Sequence, residues 1–549
     1  MIQSLRNRFA HINGWRGVFV NFILGSIAVL GHAPFYAWPI TIVSFAFFMI
    51  RLDGVQAREK SVKAGFWCGF GFGFGYFLFG FYWIGSAFIA RGAGYVAIMP
   101  FAILLFCAGL SLFWAIASAA YVKLTYSGRK EILASGAMRA GIFSSVIFIA
   151  EFARGHVFGG FPWNLPGYVF AAGKPVSQIA SYVGIYGVSA LVLFLSAAVS
   201  ILVSERKFIP FYICATVFLG VVWFGNTRLN SAPIESTKYV EGVKLRIVHA
   251  NIAQKDKFDP EKYVQTVERY FDLTMSAGLE GITHVIWPEG AVPGLMFEDA
   301  GLMYALESRL RSAPRAIGLE APPVFISQTL RAERKLGQRT VYYNAAAAVS
   351  FPPHEPYLVS AYYDKQKLVP FGEHMPGGAL AEKMGLKALS TALETISPGR
   401  SGIMPRLPGL PPVSLQICYE IVFPGFTPKL VGVGREKPEW ILNLSNDSWY
   451  GNSAGPYQHI NQARYRAIEQ GLPVIRSTSG GISGVIDSYG RQLFSRDLAE
   501  NGVLDVKLPK TLRGVAYNIG FNLKIFLLIL CVLISCALGI RRARMLHFT

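Results

Sequence analysis

Long apolar runs constrain this chain more than any other feature. Seven of them fall within the first 226 residues, at roughly 17–33, 35–50, 64–86, 94–122, 138–155, 178–203 and 208–226. An eighth lies at roughly 518–540. About 20 consecutive apolar residues suffice to cross the hydrocarbon core of a bilayer as a helix. The first run does not read as a cleaved signal peptide, because more spans follow and no clear small-x-small site stands after it. The first two runs share the kink-prone stretch GHAPFYAWP (31–39).

Charge separates the chain into three parts. Only 15% of its 549 residues are charged, yet the net charge is +19. Residues 1–236 hold 17 Lys and Arg against 6 Asp and Glu, residues 237–516 hold 31 against 27, and residues 517–549 hold 4 against none. The middle stretch therefore has the composition of a soluble domain. The chain is too apolar to be disordered. It also lacks the polar background on which nucleic-acid binders carry their basic patches, so no nucleic-acid partner is expected.

The basic excess reports orientation. With the N-terminus in the cytoplasm and the spans alternating, the cytoplasmic segments carry 16 Lys and Arg, among them Arg51, Lys123, Arg206 and Arg541. The opposite face carries four outside the soluble stretch, Arg91, Arg154, Lys174 and Arg228. This is the positive-inside pattern. Eight spans then place both termini in the cytoplasm and residues 237–516 in the bacterial periplasm.

Two features of the span region are expected to matter. The run GFWCGFGFGFGYFLFGFYWIG (65–85) reads first as close helix packing through small residues, and second as a lipid-facing or substrate-lining helix. Glu151 and Arg154 precede FPWNLPGY (161–168) at the outer end of the fifth span. Ionisable groups at membrane depth are costly, and the two form either a structural ion pair or a substrate contact.

Residues 237–516 alternate short β-type runs with helical stretches. The runs are LRIVHANI (245–252), THVIWPE (283–289), PVFISQTL (323–330), YYNAAAAVS (342–350), LVSAYYDK (358–365), VSLQICYE (413–420), WILNLSND (440–447) and PVIRSTSGG (473–481). Such alternation predicts a layered α/β domain. Five of the six cysteines lie in predicted spans, and only Cys418 lies in this domain. A lone cysteine in an exported domain is either an inert buried residue or a reactive thiol.

Its company favours the second reading. Glu289 closes WPE, Lys365 closes YDK and Cys418 nearly closes QICYE, so three reactive types sit at predicted strand ends, where layered α/β folds present their sites. Glu289 could take the thiol proton. A Lys365 ammonium could stabilise the oxyanion of an acyl transfer. Glu373, eight residues further on in LVPFGEH, is either a carboxylate that steadies the lysine or a loop salt bridge. A Ser/His/Asp reading is weaker: His374 and His459 are available, but no GxSxG elbow stands out. No metal-binding motif is apparent, and no cofactor is expected.

The motifs WPEGAVPG, YDKQKLVPFGEHMP, QICYEIVFPG, SNDSWYG and STSGGISGVIDSYGR together resemble the nitrilase superfamily. Their order inside a multi-span frame, with GHAPFYAWP, narrows the resemblance to the apolipoprotein N-acyltransferase family. That resemblance implies a bundle of about eight membrane helices plus a periplasmic αββα sandwich. Its parts would be 1–236, 237–516 and a final helix with a basic tail at 517–549. It implies Glu289 as general base, Lys365 as oxyanion stabiliser, Cys418 as nucleophile and Glu373 as supporting carboxylate. Tyr419 and Glu420 match positions that matter in the family. Phe258 stands where the family often has a tryptophan, and is the expected substrate contact in NIAQKDKFDPE (251–261).

The implied reaction is ping-pong. Cys418 takes an acyl chain from a phospholipid, typically phosphatidylethanolamine, and passes it to the α-amine of a diacylglyceryl cysteine on an apolipoprotein. The implied location is the bacterial inner membrane. Two other functions share these features. One is a membrane-anchored amidohydrolase, in which water attacks the thioester. The other is a non-catalytic membrane binding protein, whose bundle should show broken polar helices.

Overall fold

The computed structural model describes residues 8–55, 61–125, 135–257, 259–312, 321–360, 362–370, 372–374, 396–400, 404–431 and 436–512. The chain divides into two compact units, Met1–Ser231 with Ala516–Thr549, and Ala232–Val515.

Among the described residues, the first unit holds seven helices long and apolar enough to cross a membrane. They span Gly14–Gly31, Trp38–Val55, Ser61–Arg91, Ala93–Thr125, Gly136–Arg154, Pro175–Glu205 and Ile209–Asn230. Each overlaps one of the first seven apolar runs. The eighth run lies outside the described residues.

Glycine decides how the third helix packs. Gly65, Gly69 and Gly73 recur every four residues and turn one stripe onto helix Ala93–Thr125. A Cβ on Gly69 would stand 2.5 Å from the Trp114 carbonyl oxygen. Gly71 and Gly75 turn a second stripe onto helix Gly14–Ala28, where a Cβ on Gly75 would stand 2.1 Å from the Phe22 carbonyl oxygen. The run 65–85 is thus a close-packing element.

Glu151 and Arg154 are also structural. Both are buried. Arg154 donates to the two Glu151 carboxylate oxygens at 2.8 and 2.6 Å. It also donates to the carbonyls of Phe161 at 2.5 Å and Trp163 at 3.0 Å. The Trp114 indole donates to Glu151 at 2.8 Å. One ion pair therefore ties helix Gly136–Arg154 to helix Ala93–Thr125 and to the FPWN segment.

The second unit is a four-layer αββα sandwich. Its strands are β1 (Tyr239–His249), β2 (His284–Ile286), β3 (Val324–Glu333), β4 (Val341–Ser350), β5 (Leu358–Val359), β6 (Tyr363–Asp364), β7 (Val413–Ile417), β8 (Trp440–Ser445), β9 (Val474–Thr478), β10 (Ser483–Ile486), β11 (Gln492–Arg496) and β12 (Gly502–Pro509). One sheet runs β12-β1-β2-β3-β4-β5 with β6 also on β4, and the other runs β11-β10-β9-β8-β7. All eight predicted runs contain strands. LVSAYYDK breaks into β5 and β6. β10 to β12 add an antiparallel extension to both sheets.

Period-two alternation builds the layers. Leu245 and Ile247 of β1, with Ala346 and Ala348 of β4, face Leu415, Ile417, Leu442 and Leu444 of the other sheet. Their neighbours Val248, Ala347 and Val349 face helices Tyr263–Thr274 and Ala300–Ser312 through Tyr270, Phe271 and Met303. Helix Ala454–Gln470 packs on the second sheet through β9 and the turn after β7.

Replacing Glu151 by Ala leaves the Arg154 guanidinium buried and unpaired, a loss of about 3–5 kcal/mol. The Glu151→Ala protein should melt in detergent well below wild type, whereas an exposed Glu235→Ala control should not.

Candidate active site

Three strand ends bring the reactive side chains together. Trp287 follows β2 and is fully buried. Its indole donates to the Thr274 hydroxyl at 2.8 Å, which anchors the strand end to helix Tyr263–Thr274. Two residues on, Glu289 enters the site. Gly290 then turns the chain at φ +66°, and its N–H donates to Gln328 Oε1 at 2.9 Å.

Lys365 follows β6 and is buried. Its N–H donates to the Asn344 carbonyl at 2.8 Å. Its ammonium lies 2.9 Å from Glu373 Oε1 and 3.6 Å from Glu289 Oε1. Burial works against this charge, but Glu373 and Glu289 outweigh it and hold Lys365 above the ordinary lysine range. The Val369 N–H donates to Glu373 Oε2 at 2.8 Å and closes the loop that carries it.

Asn344 joins the two carboxylates. Its amide N–H₂ donates to Glu289 Oε1 at 2.9 Å and to Glu373 Oε1 at 3.0 Å, and its carbonyl oxygen accepts from Gln328 at 2.9 Å. On β4, Asn344 shares the inward face with Ala346 and Ala348. A polar side chain on a core face was a readable signal, and sequence reasoning passed over it.

Cys418 opens the short turn Cys418–Val422 directly after β7. It is buried and holds φ +49°, a left-handed conformation uncommon for a residue with a side chain. Burial pushes its thiol up to about 12; Glu289 adds to the rise and Lys365 opposes it. The thiol is therefore neutral at pH 7. It lies within the field of both partners, so it depends on a base to become a nucleophile.

Glu420 holds this turn to the lysine. Its carboxylate accepts from the Ile417 N–H at 2.7 Å, the Gln366 N–H at 2.6 Å and the Lys367 N–H at 3.1 Å. The Tyr363 hydroxyl adds a bond at 2.9 Å. One side chain thus bridges the residue before Cys418 and the two after Lys365. Burial raises Glu420 to about 7, against the lowering effect of its backbone donors. Tyr419 is buried, with its ring edge-to-face on Phe423 at 5.0 Å. Phe258 lies outside the described residues.

His459 sits in a buried charged cluster. Its Nδ1 lies 2.9 Å from Asp447 Oδ1, and Arg476 donates to Asp447 Oδ2 at 2.6 Å. His459 also bonds the Cys418 backbone. The group supports the turn that carries Cys418.

The comparisons with known proteins agree with this arrangement. Residues 24–198 match the apolipoprotein N-acyltransferase N-terminal domain, and residues 244–517 match the carbon-nitrogen hydrolase domain. An apolipoprotein N-acyltransferase of Rhodopseudomonas palustris is 33% identical over 522 residues, covering 92% of this chain and 91% of its own. One from Bradyrhizobium diazoefficiens is 35% identical over 520 residues, with 92% and 91% covered. The chain belongs to the apolipoprotein N-acyltransferase family. Another relative, from Caulobacter vibrioides, is 32% identical over 499 residues, covering 90% of this chain and 89% of its own. As a member of this acyltransferase family, the chain pairs a multi-pass helical unit with a nitrilase-like domain.

Two predictions follow from the geometry. Labelling of Cys418 by a methanethiosulfonate, read by peptide mass spectrometry, should climb steeply from pH 7 to 10, by up to about tenfold per unit, since the thiol is below its pKa throughout. Lys365→Met should slow labelling at every pH in that range. Glu420→Gln sets an amide N–H₂ against donors that all need an acceptor. It should cut the N-acyltransferase rate by about a hundredfold while the protein still melts cooperatively.

Proposed function

We propose that the enzyme transfers a fatty acyl chain from a membrane phospholipid to the α-amine of a lipid-modified N-terminal cysteine on an apolipoprotein. The observation that carries this reading is the convergence of Glu289, Lys365 and Cys418 in one buried site. Phosphatidylethanolamine is the donor proposed, and the relatives' names support an apolipoprotein acceptor.

The steps follow from the side chains. Glu289 takes the Cys418 proton as sulfur attacks an ester carbonyl of the donor. The carbonyl oxygen becomes an oxyanion, and the Lys365 ammonium stabilises it. Collapse breaks the ester C–O bond, leaving a thioester on Cys418. Glu289 returns its proton to the departing lysophospholipid. The acceptor amine then attacks the thioester and loses a proton to Glu289. The C–S bond breaks, an amide forms and the Cys418 thiol is restored. Glu373 and Asn344 hold lysine and base in register through both halves.

The charge distribution supports the orientation. With 16 basic residues on one face of the proposed topology and four on the other, the domain from residue 237 to 516 lies in the periplasm and both termini lie in the cytoplasm. The membrane is then the bacterial inner membrane.

The test is intact-protein mass spectrometry after the wild-type enzyme meets phosphatidylethanolamine. An acyl-sized gain in mass, absent from Cys418→Ala and discharged by a diacylated lipopeptide as N-acyl product, is the expected result. Discharge as free fatty acid alone would instead identify a hydrolase. No adduct, together with full cellular function of Cys418→Ser, would favour a binding protein.

A further inference from the structure

A second buried lysine stands beside the site and takes no part in the steps above. Lys257 ends the short helix Gln254–Lys257, and its side chain is buried. Its amine nitrogen lies 3.0 Å from Asn446 Oδ1, 3.3 Å from Ser448 Oγ and 2.5 Å from Ser479 Oγ. No carboxylate bonds it among the described residues.

The hydrogen count distinguishes its two forms. Ser479 gives its hydroxyl hydrogen to Asn446 Oδ1 at 2.9 Å. Ser448 gives its own to the carbonyl of Ile252 at 3.0 Å or of Ser479 at 3.1 Å. The Asn446 amide N–H₂ donates to Gln254 Oε1 at 2.9 Å, so its carbonyl oxygen is the atom facing Lys257. Three acceptors therefore surround the nitrogen. An ammonium donates to all three at once, whereas a neutral amine has only two hydrogens and must turn its lone pair to one hydroxyl.

Asn446 connects this cluster to the nucleophile. Its backbone N–H bonds the Cys418 sulfur. Its side chain also lies over Gly290, where a Cβ would approach the amide nitrogen to 2.9 Å, directly beside Glu289. Gln254 and Lys257 grip the two ends of one amide, and that residue touches both the base segment and the thiol.

We infer that Lys257 is a positioning residue for acyl transfer: as an ammonium it fixes Asn446, and through Asn446 it sets the Cys418 sulfur against Glu289. This rests on the acyl-transfer reading for its consequence, though not for its geometry. Burial lowers Lys257 to about 7, with Glu289 and Asp447 opposing the fall. These two carboxylates are the charged groups facing it, and Asp447 is itself paired with Arg476 and His459. The charge is present below neutral pH and is lost as pH rises through that value. The clamp then loses one hydrogen and loosens.

The experiment compares full-length wild type, Lys257→Met and Ser479→Ala in nanodiscs from pH 6 to 9. Two rates are read. One is acyl-enzyme formation from phosphatidylethanolamine. The other is methanethiosulfonate labelling of Cys418, which needs no donor. The wild-type to Lys257→Met ratio should be about tenfold at pH 6 and fall towards one by pH 9. Taking ratios cancels the groups common to both proteins. In Ser479→Ala the charged form loses an acceptor, so the same fall should come at lower pH. A ratio of one throughout overturns the inference. A ratio that stays constant with pH also overturns it, since that is what lost packing alone would give. If Lys257→Met fails to fold, Ser479→Ala decides: a wild-type pH profile overturns the inference. A wild type that labels at Cys418 but gains no acyl mass sinks the transfer reading, and the labelling ratio still decides on Lys257.

Discussion

The catalytic domain is organised around the charge on Lys365. A buried ammonium costs several kcal/mol unless it is paired, and Glu373 and Glu289 supply the pairing. The arrangement also limits each carboxylate. Glu373 is committed to Lys365, Asn344 and the Val369 N–H. Glu289 takes a bond from Asn344 and stands further from the lysine. The nearer carboxylate steadies the charge, and the farther one is left for the proton transfers proposed above. Two chemically identical groups thus stand in two different environments.

The same economy governs the nucleophile. Its left-handed backbone persists because the surroundings hold it from both sides. Glu420 grips the residue before it, and His459 bonds its own backbone from beneath. Burial is the main reason the thiol stays protonated; Glu289 adds to that effect and Lys365 opposes it. A neutral, buried thiol of this kind resists oxidation. In the proposed reaction it becomes a nucleophile only when a substrate and a base meet it together.

Much of this was legible in the sequence. The apolar runs and the charge partition gave the helical unit because membrane spans must be long and apolar whatever their neighbours. The strand runs were readable because strands buried on both faces are continuously apolar. Glu289, Lys365, Glu373 and Cys418 were visible because reactive types stood at strand ends. Asn344 showed only as a polar residue on a core face, and Gln328, Asn446 and Lys257 were not visible. Their importance comes from partners remote in sequence, such as the 189 positions between Lys257 and Asn446. Local pattern carries no trace of such pairing. β10 to β12 escaped for a different reason: β11 is half exposed and mixed in polarity, so it resembles a loop. The Glu151–Arg154 pair could be seen in sequence, but its role could not, since a structural pair and a ligand contact look alike until Trp114 and the FPWN carbonyls are in place.

The two glycine stripes on helix Ser61–Phe81 also bear on how the chain assembles. Stripes of this kind give a helix little grip on itself and much on its neighbours, here the first and fourth of the seven long helices. As the chain emerges, the partner for one stripe is already available and the partner for the other has yet to be made. Docking therefore closes in two stages, each across a modest sequence separation, which keeps the entropy of loop closure low. Between those stages the second stripe offers a ready groove for any passing helix. An assembly order of this sort gives a reason for its partner, Ala93–Thr125, to come next among the long helices.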